Sequence, residues 1–307
     1  MRVAVFGGTG FVGSYVIEAL LDEGHEPSLL VRPGNREKLP RGVDCRVVDG
    51  EVDTPSAVRA TLEGCDALVY LVGILREFPR RGITFDRLHY RGVVDVVQAA
   101  RDTGASRLLL MSANGVRPDG TPYQSTKFRA EEHAGSSGLD VTVFRPSVIF
   151  GDPRGRMEIA TQLYRDMVRP PFPAAGFYIG IRPRDGQMLM SPVHVRDVAA
   201  AFLRALDDDT TIGRTFTLGG PEVLSWTEMI RRVGIATGKR KRILPFPLGP
   251  MRLAATLLDR LPIFPVTRDQ LTMLAEGNTA GPGDLRSLVG REPAPFSVDN
   301  LAYLADA

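Results

Sequence analysis

Short apolar runs alternate with stretches of helical period through the first half of the chain. Val3 to Phe6 form one run. Val12, Val16, Ile17, Leu20 and Leu21 then recur at i, i+4, i+5, i+8 and i+9, so they share one helix face. Gly24 is placed to stop that helix. The same reading predicts strands at 28–31 and 45–48, and a short helix from Pro55 to Leu62 with proline in its first turn. Residues 67–72 are continuously apolar, as in a strand covered on both faces. A longer helix is predicted over 86–102 with Val93, Val94, Val97 and Ala100 inward, then a strand from Arg107 to Met111, a helix over 125–136 and a strand over 141–144. Six strand–helix alternations before residue 150 predict an α/β, doubly wound parallel sheet.

After Gly151 the rhythm fails. Pro170, Pro171, Pro173 and Pro183, with Gly176, Gly180 and Gly186, predict loops rather than sheet. Order returns over 191–206 as a short strand and a helix with Val198, Phe202 and Leu206 inward, and 215–218 reads as a further strand. Helices interrupted by proline and glycine follow, with Trp226 in their core. The division predicted is 1–150 plus roughly 191–220 as one domain, and 151–190 plus 221–307 as a smaller, mainly helical C-terminal lobe.

The link between the first strand and first helix reads GGTGFVG over 7–13. Gly8, Gly10 and Gly13 satisfy G-x-G-x-x-G, and Gly7, Gly10 and Gly13 satisfy G-x-x-G-x-x-G. One glycine permits the sharp turn, one lets backbone approach a pyrophosphate, and one lets helix and strand pack closely. Placed between a strand and a periodic helix, the motif points to a Rossmann dinucleotide-binding sheet, with phosphates at the helix N-terminus. The cofactor contacts predicted there are Gly7, Gly8, Thr9, Gly10, Phe11, Val12 and Gly13. The residue ending the second strand meets the adenine ribose in this fold. It is Arg32, with Arg36 and Lys38 close behind, and a guanidinium suits a 2′-phosphate. NADP(H) is therefore favoured, with NAD(H) left open. Glu51 can accept the adenine amino group and the Val52 amide can reach the ring.

Tyr123 and Lys127 form Y-x-x-x-K on one helix face. A tyrosine with a free pKa of about 10 needs a neighbouring cation to work as a base at neutral pH. Lys127 provides one, so Tyr123 is the candidate acid/base and Lys127 its partner.

These motifs together resemble the extended or atypical short-chain dehydrogenase/reductase superfamily. GGTGFVG, the strand over 66–72, YQSTK over 123–127, RPSVIFG over 145–151 and PVHVRD over 192–197 fall in its order, covering residues 1 to 220. Within that branch the chain is most similar to bacterial relatives of the NADPH-binding accessory subunit of respiratory complex I, through MSAN over 111–114, RPSVIFG and LGGPE over 218–222. The resemblance implies further cofactor contacts at Leu71, Val72, Gly73, Met111, Pro146 and Val148. It also implies that His194 and Asp197 anchor the second lobe to the first. One position departs from it. Active members follow the fifth strand with a serine and then a second hydroxyl; here Ser112 fits the first position and Ala113 the second. Ser112 is the candidate substrate orienter if the turn shifts by one. His89, where many relatives carry asparagine, either fills the same polar slot or is a satisfied surface residue, and the second reading is preferred.

Composition adds bounds. Apolar residues make 43% and charged residues 24% of 307, with a net charge of +2, so no nucleic-acid surface is implied. Cys45 and Cys65 read as packing residues, and no metal site is expected. No signal peptide is visible and no apolar run reaches the roughly 18 residues of a membrane span. A cytoplasmic location, or the cytoplasmic face of a membrane, is expected. Lys239 to Arg242 form a basic cluster beside an apolar helix with Met251, Ala254, Ala255, Leu258 and Leu261 on one face. Residues 239–266 are thus a candidate contact with a membrane surface or protein complex. Two readings stand: an NADP(H)-dependent oxidoreductase or epimerase acting on an alcohol or carbonyl of an unknown apolar substrate, and an NADPH-binding structural or sensor subunit.

Overall fold

The computed structural model describes residues 1–39, 42, 45–180, 182, 186–250 and 268–306. The chain divides into two compact units. One comprises Met1–Arg145, Arg196–Thr217 and Ser287–Gly290; the other comprises Pro146–Val195, Leu218–Arg286 and Arg291–Ala307.

The first unit is built on a sheet that has seven strands among the described residues. Its strands are β1 (Arg2–Phe6), β2 (Glu26–Val31), β3 (Arg46–Asp49), β4 (Ala67–Tyr70), β5 (Arg107–Met111), β6 (Asp140–Pro146) and the strand Thr215–Leu218. The spatial order is Thr215–Leu218, β6, β5, β4, β1, β2, β3. Pairing from β3 through β6 is parallel, with Val5 opposite Leu29 on one side and Val69 on the other. Strands covered on both faces must be apolar throughout, and Val3 to Phe6 and Ala67 to Val69 are all fully buried. The order reverses between β1 and β4, where a doubly wound sheet opens a crevice at the carboxyl ends of its strands.

The helices α1 (Phe11–Asp22), α2 (Pro55–Leu62), α3 (Gly92–Thr103) and α4 (Pro122–Gly135) cover this sheet. The helix predicted over 86–102 begins instead as a π-helical turn, Asp86–Arg91. The Tyr70 hydroxyl donates to Leu88 O at 2.6 Å, and the Gly92 amide falls back to Arg87 O. A side chain from β4 thus takes the carbonyl that an α-helical turn would use. The extra residue rotates the face: Val96 is buried where Val94 was expected, and His89 turns inward.

Helix α4 starts three residues before the predicted position. Thr121 and Gln124 form a capping box, with Gln124 Oε1 accepting from the Thr121 amide at 2.8 Å, and Pro122 occupies the first turn. The buried face of α4 includes Gln124, Lys127 and Glu131. Arg145 at the end of β6 grips the Glu131 carboxylate through two nitrogens.

The second unit packs Phe150, Leu163, Phe177, Trp226, Met229, Ile230, Phe296 and Leu301 into its own core. Trp226 is buried, as expected. The loop reading of 170–186 needs correction: Ala174–Tyr178 is a strand, pairing in parallel with Ile243–Pro247. Glycine at 176 permits it, because a Cβ there would fall 2.9 Å from Ile243 Cγ2. The apolar helix expected beyond Pro250 falls on residues 251–267, outside the described residues. Among the described residues no helix is long and apolar enough to cross a membrane.

Candidate dinucleotide and proton-transfer site

The glycine turn is closed by its own backbone. The Gly10 amide donates to Gly7 O at 3.0 Å and the Ser14 amide to Gly10 O at 3.1 Å. Gly7 has φ +94°, a conformation that side chains resist. A Cβ on Gly13 would strike Gly7 O and lie 2.8 Å from Gly8 Cα. Gly10 caps α1 with no side-chain acceptor for the first-turn amides. Those donors and the positive helix end make an anion cradle. Phe11 is half-buried, and Val12 is buried in the first turn.

The same turn lies against the loop that follows β4. A Cβ on Gly7 would sit 3.0 Å from Leu71 C and Val72 N. Two residues on, a Cβ at Gly73 would lie 3.7 Å from Lys127 Nζ. The backbone of Leu71 and Val72, followed by Gly73, thus links the phosphate cradle to the Y-x-x-x-K helix. Met111 completes the floor, its carbonyl accepting from Lys127 Nζ at 3.1 Å. Ser112 lines a small cavity with Tyr70, Val72, His89, Met111 and Lys127. Gly7, Leu71, Val72, Gly73, Met111, Ser112, Tyr123 and Lys127 are therefore brought together within the first unit. Pro146 and Val148 fall in the second unit, where the Val193 amide donates to Val148 O at 2.9 Å.

Lys127 is buried, and burial pushes its pKa down to about 8, with Glu131 drawing it partly back up. Its ammonium has three donors and, among the described residues, one acceptor. The Tyr123 ring centroid lies 5.8 Å from Lys127 Nζ. Its hydroxyl has no hydrogen-bond partner among the described residues. The expectation that Lys127 lowers the tyrosine pKa is not met in this state, because burial dominates and raises it. The Ser112 hydroxyl is buried with no partner. Lys127 and Ser112, with polar atoms left unfilled, line one cavity in the same unit as a cradle that side chains would fill, so the residues fit a bound dinucleotide.

His89 needs correction: it is buried, not on the surface. Its Nε2 accepts from the Ile74 amide at 3.1 Å, and Nδ1 lies 3.3 Å from Thr126 Oγ1, which itself donates to Pro122 O at 2.7 Å. That chain fixes the neutral imidazole with its proton on Nδ1. Burial, with the Lys127 charge, pushes the pKa down to about 2. His89 stacks on Phe85 and meets the Tyr123 ring edge-on, so it holds the tyrosine rather than carrying a proton.

At the adenine end, Arg32 is exposed and its guanidinium has no ion-pair partner among the described residues. Arg36 instead grips Asp49, with Nη2 2.8 Å from Oδ2, and Lys38 donates to Asn35. Val52 is buried, and Glu51 is ion-paired with Arg87, which also bonds Asp53 at 2.6 Å. Sequence reasoning missed Arg87. Its signal was the pair of acids at Glu51 and Asp53, which called for a cation without saying which one.

A family model described as NAD(P)H-binding matches residues 7–170. The chain belongs to this NAD(P)H-binding family. Among curated proteins, it is 26% identical to the ceramide reductase of Caulobacter vibrioides, over 84% of this chain and 77% of that protein. It is also 26% identical to the mitochondrial NADH-ubiquinone oxidoreductase 40 kDa subunit of Neurospora crassa, over 85% of this chain and 67% of that one. The structure of Thermus thermophilus UDP-glucose 4-epimerase in complex with NAD superposes with a TM-score of 0.73 at 21% identity, covering 100% of this chain and 98% of that one. At that identity it speaks for the fold alone. The chain is thus an NAD(P)H-binding protein, and reductases and complex I subunits are among the proteins it is similar to.

Gly13→Ala is expected to cost about 1–3 kcal/mol of stability, the usual penalty for forcing an extra methyl into close-packed atoms. Denaturant unfolding reads that loss, and because the same methyl would displace the glycine turn, an equilibrium titration should also show weakened binding of nicotinamide dinucleotide.

Proposed function

We propose that the protein is an NADP(H)-dependent oxidoreductase or epimerase acting on a carbonyl or alcohol of an apolar substrate. The observation that carries this reading is the unpartnered Tyr123 hydroxyl beside the buried Lys127 ammonium, joined to the glycine cradle through the loop that ends in Gly73. When bound, the nicotinamide supplies or takes the two electrons. The protein's own residues do the rest. Lys127 offers two donors beyond its bond to Met111 O, enough for the hydroxyls of a ribose. Tyr123 is a phenol at neutral pH, so it is set to donate its proton to a developing alkoxide. Ser112 has a free hydroxyl with which to hold the same oxygen. Arg32 supports NADP(H), since an exposed guanidinium at the end of β2 without a carboxylate can clamp a 2′-phosphate.

A second reading, an NADPH-holding structural or sensor subunit, is supported by Ala113 at the second hydroxyl position and by the complex I subunits among the relatives. For contact through 239–266 the support is thinner. Lys239 Nζ bonds Tyr164 OH at 3.3 Å and Lys241 bonds Pro170 O, so half the basic cluster is engaged within its own unit.

Tyr123→Phe separates the readings. Oxidation of NADPH by a panel of apolar ketones should fall by two orders of magnitude or more, the scale of general acid catalysis, while NADPH affinity stays the same. A wild-type protein that turns over no carbonyl on the panel supports the second reading. Arg32→Ala should weaken NADPH at least tenfold and leave NADH nearly unchanged in direct titrations, the loss of a charge-assisted phosphate contact. Equal losses for both would refute the NADP(H) assignment.

A further inference from the structure

The loop that follows β4 carries charge and apolar surface that dinucleotide binding leaves unused. Residues 75–82 read LREFPRRG, with three arginines and one acid. Leu75 is 60% exposed and Phe78 43%. The base of the loop is fixed. The Phe78 amide donates to Ile83 O at 2.7 Å, the Ile83 amide returns to Phe78 O at 3.2 Å, and Arg87 donates to Gly82 O at 2.9 Å. Glu77, the single acid, is turned toward that base and accepts from the Phe85 amide at 2.7 Å. The guanidinium carbons of Arg76 and Arg81 lie 6.0 and 5.9 Å from the Phe78 ring centroid, and Arg80 is exposed beside them. A braced tip therefore presents a leucine and a phenylalanine among three guanidiniums, with its carboxylate facing inward.

We propose that this loop docks the protein on an anionic phospholipid surface. Leu75 and Phe78 enter the boundary between headgroups and acyl chains, and Arg80 and Arg81 meet lipid phosphates. An exposed apolar residue alone carries no such meaning. The combination does, because a bilayer interface offers phosphate oxygens and hydrocarbon within one arginine length of each other. Guanidiniums bind phosphate with two nitrogens, their stems lie along apolar surface, and aromatic rings settle at headgroup level. An acidic protein surface would satisfy the arginines and leave the leucine and phenylalanine against polar groups. Because the loop is already ordered by its own bonds, docking loses little conformational freedom.

The test is co-sedimentation of the full chain with vesicles of phosphatidylcholine alone and of phosphatidylcholine mixed with phosphatidylglycerol. Wild type should pellet with the anionic vesicles only, and less so as salt rises. Arg80→Ser with Arg81→Ser should weaken that binding on the order of thirtyfold, the contribution of two basic residues near an anionic surface. Phe78→Ser should weaken it independently. Both variants should keep wild-type NADPH affinity and melting temperature, which shows that the fold is intact. A variant with serine at all four positions 239–242 should still bind. The proposal is overturned if wild type ignores anionic vesicles, if it binds neutral vesicles equally well, or if the 239–242 variant loses binding while the loop variants keep it.

Discussion

A buried ammonium is the constraint on which the candidate site depends. Lys127 sits on the sheet-facing side of α4 with one carbonyl acceptor, and the protein interior depresses its pKa to about 8. Charge held out of water with donors unfilled is destabilising, so it persists where the rest of the fold holds it in place. The capping box at Thr121 starts the helix early, the Arg145–Glu131 pair neutralises the next turn, and glycine at 73 keeps side chains off the approach. Each feature is ordinary. Together they leave one polar vacancy whose natural complement is a ligand with hydroxyl groups.

The glycine turn sets where that ligand's phosphates go, and close packing explains why it reads so clearly. A Cβ on Gly7 would meet the backbone of the chain after β4, and one on Gly13 would meet the backbone of Gly7 and Gly8. Tyr70 imposes a similar demand on the other side of β4. Its hydroxyl presses on Gly92 and diverts the helix ladder, which turns His89 into the interior against Tyr123. The site is thus assembled around the carboxyl end of one central strand and the loop that follows it.

Much of this was legible in the sequence. The strands, the glycine turn and the Tyr123–Lys127 spacing depend on local rules: apolar runs, steric permission and helix period. The π-turn was not legible, because its cause is a hydroxyl sixteen residues or more away in sequence, and a periodicity count cannot see a carbonyl taken from outside. The same blindness placed His89 on the surface and Val94 in the core. Arg36 and Glu51 have the expected positions, yet each already holds an ion pair, with Asp49 and Arg87 respectively, that spacing could not foretell. The pairing of Ala174–Tyr178 with Ile243–Pro247 joins segments nearly seventy residues apart, beyond the reach of turn statistics.

The most direct test is Lys127→Met, which keeps an unbranched side chain one atom shorter and removes its charge. In wild type the folded pKa is depressed, so the penalty is full below about pH 8 and is relieved as pH rises from there toward the unfolded value. Without dinucleotide, denaturant unfolding at neutral pH should show the variant more stable by about 1–3 kcal/mol, a gain that shrinks as pH rises from about 8 toward the unfolded value, since a desolvated charge is gone. Titration should show NADPH binding weakened at least tenfold, the loss of one charged hydrogen-bond donor. A variant that is less stable than wild type, or that binds NADPH equally well, would contradict the account.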